Sequence, residues 1–128
     1  MTRFDFLGQA LQFRVAYDQP TACFTPEILN LQKDLIVEEF KEFIEAYGEC
    51  TKFIQNPRAR EEALKELADL CYVCFQFAAA AGWELDEALD RVHKSNMSKL
   101  VDGKPVKNIA GKVLKGPNYQ PPYLDDLV

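Results

Sequence analysis

The sequence predicts an all-α protein: a four-helix, bundle-like core with an irregular C-terminal arm, assembled as an oligomer. Three observations lead there. Apolar residues recur at three-and-four spacing in four successive segments between residues 3 and 99. Helix punctuation falls between those segments, with N-cap residues and prolines at the starts and glycines at the ends. Beyond residue 99 the chain is broken by Asp102-Gly103, Gly111, Gly116-Pro117 and Pro121-Pro122, which no regular element tolerates.

The first segment covers residues 3–17. Phe4, Leu7, Leu11 and Val15 form its apolar stripe, Phe6 and Phe13 widen it, and it ends before Asp18-Gln19-Pro20. Thr25-Pro26-Glu27 then supplies an N-cap, a proline for the first turn and an acid placed against the helix dipole. The second helix starts there, carries apolar positions from Ile28 to Tyr47, and takes Gly48 as its expected C-cap, giving about 21 residues. Asn56-Pro57 opens the third, which carries Ala63, Leu64, Leu67 and Leu70 and runs through Ala81 to a stop at Gly82. The fourth covers roughly Leu85 to Lys99. In the arm, Pro105-Val106 and Lys112-Val113-Leu114 support at most a short hairpin.

From Leu67 to Ala81 the third helix reads LADLCYVCFQFAAAA, apolar all round except for Asp69 and Gln76, and such a helix must be buried on every side. The 128 residues are read as one domain, with a helical core over about 3–99 and an arm over about 100–128. One such chain can hardly surround that helix, so a homodimer or homotetramer is expected. The charge-free stretch Leu70–Trp83 falls short of the ~20 residues of a membrane span. The N-terminal MTRFDFLGQALQFR lacks a secretory signal's apolar core and cleavage site, so the mature chain is expected to begin near Met1. Cys23, Cys50, Cys71 and Cys74 then read as free thiols in the cytoplasm.

With 48% hydrophobic and 27% charged residues the chain has the composition of a globular protein, not of a disordered tail. Its net charge of −5 hides an asymmetry: residues 1–91 balance at −8, and residues 92–128 at +3. That distribution is poor for nucleic-acid affinity, which needs a basic face, but suits holding a cation and a polyanion side by side.

The acids give the sharper signal. Glu39 and Glu42 lie three apart on one face of the second helix, with Glu38 adjacent, and Glu66 and Asp69 repeat that spacing on the third. If the two helices are antiparallel neighbours, the pairs converge on one spot and offer hard oxygen ligands to Mg²⁺, or to Mn²⁺ in its place. A single E-x-x-E is ordinarily a solvated face. Asp69 resists that reading, because a carboxylate in an apolar run is costly unless something compensates it. Lys65 is read as lying on the far side of the first turn, which leaves a metal as the economical partner. The competing reading, a non-catalytic helical interaction module with a merely solvated acidic face, predicts that Asp69→Asn leaves Mg²⁺ affinity unchanged.

E-x-x-E on one helix followed by E-x-x-D on the next resembles the all-α nucleoside triphosphate pyrophosphohydrolases, the MazG, dimeric dUTPase and phosphoribosyl-ATP pyrophosphohydrolase-like group. HKSNMSKL (residues 93–100) is similar to that group's fourth-helix segment, and GKVLKGPNYQPP (111–122) to tails of its single-domain members. The resemblance implies Mg²⁺ bound by Glu39, Glu42, Glu66 and Asp69, and cleavage of a (d)NTP between the α and β phosphates to the monophosphate and pyrophosphate. It also implies a role for Glu38 in orienting or deprotonating the water, and substrate contacts from Asn96 and Lys99, with Lys115 and Tyr119 as tail candidates for the phosphates. Phosphoribosyl-ATP is the alternative substrate. Members acting on it usually end soon after the fourth helix, and the long tail argues for the nucleoside triphosphate.

Other chemistries find no support. Cys71-x-x-Cys74 lies mid-helix with no second cysteine pair and His93 as the sole histidine, which favours buried structural thiols over zinc or redox chemistry. One histidine likewise cannot complete a di-iron bundle, and no G-K-[ST] phosphate loop occurs. Ser95 and Ser98 lack the partners of a serine nucleophile. Phe13, Tyr17 and Trp83 are candidate stacking residues, each read first as plain core.

Overall fold

The computed structural model describes residues 3–128 and gives four α-helices, one two-stranded sheet and a short 3₁₀ turn, so the fold is all-α. Met1, the expected start of the chain, lies outside the described residues. The chain forms two compact units, one ending at Trp83 and the other spanning Glu84–Val128.

In the first unit, α1 (Phe6–Ala16) is capped by Asp5, whose carboxylate accepts the Gly8 N–H at 2.8 Å. The α2 helix (Pro26–Lys52) begins as its sequence demands, with Thr25 Oγ1 accepting from the Ile28 N–H and Pro26 in the first turn. It does not stop at Gly48. Its 27 residues continue to Lys52, because Gly48 keeps a right-handed backbone and Glu49, Cys50, Thr51 and Lys52 all tolerate helix. A glycine ends a helix only where the chain turns left-handed.

That happens at the end of α3 (Pro57–Ala81), where Gly82 has φ +79°. The last carbonyls of α3 are then used: Ala79 O and Ala80 O accept from Ala22 and Cys23 N–H of the α1–α2 loop, and Ala78 O from Trp83 N–H. Asn56 caps the other end, accepting from the Arg58 N–H at 3.0 Å.

Packing corrects the sequence on which residues are inside. The buried side chains of α1 are Ala10 and Arg14, whereas Phe6, Leu11 and Val15 of the expected stripe face solvent. Among the described residues, the buried apolar residues of this unit are all alanines: Ala10, Ala46 and Ala78–Ala81. Small side chains let α3 approach its neighbours closely, and the larger apolar residues are pushed outward. Leu64, Leu67 and Tyr72 of α3 are exposed, as is Cys71, expected as a buried thiol, so the rest of the chain does not enclose α3.

In the second unit, α4 (Leu85–Met97) ends short of Lys99, and Val106–Lys107 pairs antiparallel with Val113–Leu114 in the expected hairpin. Arg91 ties the C-terminal end to α4, donating to Glu87, to the Tyr123 carbonyl and, through both terminal nitrogens, to Asp126. Among the described residues no helix is long and apolar enough to cross a membrane.

Candidate metal centre

The α2 and α3 helices pack against each other in opposite directions. Residues Ile28–Leu35 of α2 share a cavity with Tyr72, Val73 and Gln76, and Glu42–Glu49 share a cleft with Ala59, Glu62 and Glu66. Between those two stretches the E-x-x-E and E-x-x-D segments face one another, as helical periodicity requires.

Glu39, Glu42 and Glu66 each bring a carboxylate oxygen within 4.8 Å of the others. Glu66 is buried, and its Oε2, like Oε2 of Glu39, is shut off from solvent without a hydrogen-bond partner. Burial, a hydrogen bond with Glu42 and the charges of Glu42, Asp69 and Glu66 push the Glu39 carboxyl up to about 6. Anions crowded so closely hold a proton more tightly than usual, or they hold a cation.

Asp69 requires a correction. It is partly exposed and paired, with its Oδ2 3.0 Å from the Lys65 ammonium, which also reaches Glu66 Oε1 at 3.3 Å. Lysine four residues before aspartate stands on the same helix face, and its long stem spans the turn. The two carboxylates hold the Lys65 ammonium well above its ordinary pKa, the Asp69 hydrogen bond contributing most. The cluster thus already contains one positive charge, although two buried oxygens remain unmatched. Those oxygens, and a donor set made of carboxylates alone, fit a small hard cation such as Mg²⁺ or Mn²⁺. Glu38 is solvent-exposed beside Glu39 and does not belong to the three-carboxylate group.

The residues read as phosphate contacts gather in the second unit. Gly116 N–H donates to the Lys99 carbonyl at 3.1 Å, and Tyr119 N–H to the Gly116 carbonyl at 3.2 Å. The Lys115 ammonium sits 4.8 Å from the centre of the Tyr119 ring. The turn needs a glycine, since a Cβ at position 116 would lie 2.7 Å from the Lys99 carbonyl oxygen. Asn96 is exposed near the end of α4, its carbonyl accepting from the Lys99 N–H.

Sequence reasoning missed Lys65 as a partner of the acids, and it missed the buried polar group formed by Arg14, Gln32 and Gln76. The i, i+4 spacing of Lys65 and Asp69 was a usable signal. Gln76 was visible as a polar break in an apolar run, but nothing local marked Arg14 as its partner. Phe13 stacks on Tyr17 with ring centres 4.4 Å apart, and Trp83 packs against Phe24 and Phe77.

The class of this all-α chain comes from a family-model match, which places it among the all-α nucleoside triphosphate pyrophosphohydrolases. Within it, the family model described as phosphoribosyl-ATP pyrophosphohydrolase matches residues 7–96, and the chain belongs to that family. No curated protein is similar enough to count as a match.

Proposed function

We propose that the protein is a divalent-metal-dependent pyrophosphohydrolase that cleaves a nucleotide triphosphate between its α and β phosphates and releases pyrophosphate. The observation carrying this reading is the pair of buried, partnerless oxygens, Glu39 Oε2 and Glu66 Oε2, inside a cluster of carboxylates. Glu39, Glu42, Glu66 and Asp69 would hold Mg²⁺, with Mn²⁺ as a substitute. The bound metal would neutralise phosphate oxygens and acidify a water. Glu38, exposed next to Glu39, is assigned the orientation or deprotonation of that water, and Asn96, Lys99, Lys115 and Tyr119 the phosphates.

The family match favours phosphoribosyl-ATP as substrate. A plain (d)NTP is the second reading, supported by residues 97–128: they lie outside the matched segment yet form a hairpin, Val106–Lys107 with Val113–Leu114, and a turn in which the Gly116 N–H bonds the Lys99 carbonyl and the Gly116 carbonyl accepts from the Tyr119 N–H. We also assign the working state to a homodimer or homotetramer in the cytoplasm. One chain leaves Val37, Phe40, Ile44 and Tyr47 of α2 and Leu64, Leu67 and Tyr72 of α3 in water, apolar residues that a second copy of the chain would cover.

The test is pyrophosphate release from phosphoribosyl-ATP, NTPs and dNTPs with Mg²⁺ or Mn²⁺, for the native chain and for Asp69→Asn and Glu66→Gln. Loss of pyrophosphate release in folded variants supports the assignment, and the substrate used fastest decides between the two readings. No turnover of any compound, together with Mg²⁺ affinity unchanged by Asp69→Asn, would leave a helical interaction module. Glu38→Gln with full turnover would remove Glu38 from its role. Sedimentation at several concentrations checks the oligomer.

A further inference from the structure

The Lys65 side chain is 60% exposed, yet its ammonium bends back onto the carboxylate cluster. It lies 3.0 Å from Asp69 Oδ2 and 3.3 Å from Glu66 Oε1, and the Glu66 side chain is only 10% exposed. The pairs of Lys33 with Asp34 and of Lys94 with Asp90, by contrast, join side chains that both stand in water. Among the described residues no other ion pair reaches Glu39, Glu42, Glu66 or Asp69. Lys65 thus takes one oxygen from each of two acids, while Oε2 of Glu66 and Oε2 of Glu39 stay buried and partnerless.

A lysine that merely braces its own helix joins exposed ends and has no use for a buried carboxylate. Here a single positive charge meets a cluster of carboxylates and leaves two of their oxygens bare. A divalent ion held by the same acids would match them better. It would also repel the ammonium from the oxygens that the ammonium now holds.

Lys65 is built to give way. Its flexible four-carbon stem stands largely in water, so the head can swing off the acids while α3 stays as it is. It cannot go far, because its backbone adjoins that of Glu66 and the ammonium stays within one side-chain length of the cluster. An ammonium driven off two carboxylates needs another anion. In the proposed reaction that anion is the nucleotide's phosphate chain, whose negative charge grows on the leaving pyrophosphate.

We propose that Lys65 is an exchangeable counter-cation: it holds Glu66 and Asp69 in the metal-free chain and passes to phosphate oxygens of the nucleotide when a divalent ion takes the acids. Metal and phosphate binding are then coupled through one side chain. This inference rests on the proposed function.

Calorimetry on the native chain, Lys65→Met and Lys65→Arg tests it in two titrations, Mg²⁺ alone and then inorganic pyrophosphate at saturating Mg²⁺, with no hydrolysis and no choice of base. Lys65→Met should bind Mg²⁺ about threefold or more tightly than the native chain, since no ammonium competes for the acids. The same variant should bind pyrophosphate about tenfold more weakly, having lost a charge-assisted contact. Lys65→Arg keeps the charge and should stay near the native chain in both. Helix support alone would move neither affinity, so Mg²⁺ binding unchanged or weakened in Lys65→Met would overturn the proposal, as would tighter Mg²⁺ with pyrophosphate unchanged. If Lys65→Met fails to melt cooperatively, the side-chain ammonium resonance of Lys65 in the native chain decides. It should shift on adding Mg²⁺ and again on adding pyrophosphate, and a signal that either addition leaves in place overturns the proposal. A native chain that binds Mg²⁺ and pyrophosphate with the expected coupling but hydrolyses no nucleotide would overturn the proposed function and leave the exchange standing. One that binds no Mg²⁺ would overturn both.

Discussion

Lowering the pH should weaken metal binding at the carboxylate cluster far more steeply than four ordinary carboxylates would. The Glu39 carboxyl is pushed up to about 6 from an ordinary 4.5, chiefly by burial and then by its hydrogen bond with Glu42 and the neighbouring charges. A metal binds the ionised form. At a pKa of about 6 that form makes up ~91% of the group at pH 7 and ~9% at pH 5, so affinity should fall ~10-fold from Glu39 alone, against ~1.3-fold for a glutamate at 4.5. The sign for stability is opposite to the usual acid effect. Because the folded state holds this proton more tightly than the unfolded state, the metal-free protein loses stability as pH rises from about 4.5 to 6, on the order of 1–2 kcal/mol. Glu39→Gln should therefore raise the metal-free melting temperature at pH 7 by a few degrees while abolishing the steep pH response. Mn²⁺ titrations followed by electron paramagnetic resonance, at half-unit steps from pH 5 to 7.5, read the affinity directly. Four ordinary carboxylates together would give about threefold, so an affinity ratio of about threefold or less between pH 7 and pH 5 would refute the reasoning, as would Glu39→Gln lowering the metal-free melting temperature.

Three further outcomes follow from the geometry. Lys65→Met removes the ammonium that bridges Glu66 and Asp69, so calorimetry should show tighter Mg²⁺ binding than in the native chain. Gly82→Ala forces a side chain into φ +79° and sets its Cβ 3.1 Å from Ala22, which should cost about 1–3 kcal/mol and lower the thermal midpoint by several degrees. Arg91→Ala cuts the anchor of the C-terminal turn, so amides of residues 124–128 should exchange faster with helical content unchanged.

The elements were legible because their punctuation is local. Thr25-Pro26, Asn56-Pro57 and Gly82 act within a few residues of themselves, and each sits where the sequence puts it. Gly48 misled because a glycine in a helix and a glycine ending one look alike until the following backbone is known. The two acid pairs were readable from three-residue spacing, and antiparallel packing brings Glu39, Glu42 and Glu66 together. Asp69 was misjudged for a different reason: apolar neighbours in sequence do not imply burial when they point around the whole circumference of a helix. Arg14 and Gln76 were out of reach, since 62 residues separate them and only the packing of α1 on α3 joins them.

An interior lined with alanines reverses the usual ranking of harmful substitutions. At Ala10, Ala46 and Ala78–Ala81 there is almost nothing to truncate, whereas any added methyl group must lever one helix away from the next. Sequence drift there meets a ceiling on size and no floor of hydrophobicity. The contact it guards holds the α1–α2 loop against the carbonyls of Ala79 and Ala80, so a single enlarged residue would loosen the loop without touching an acid.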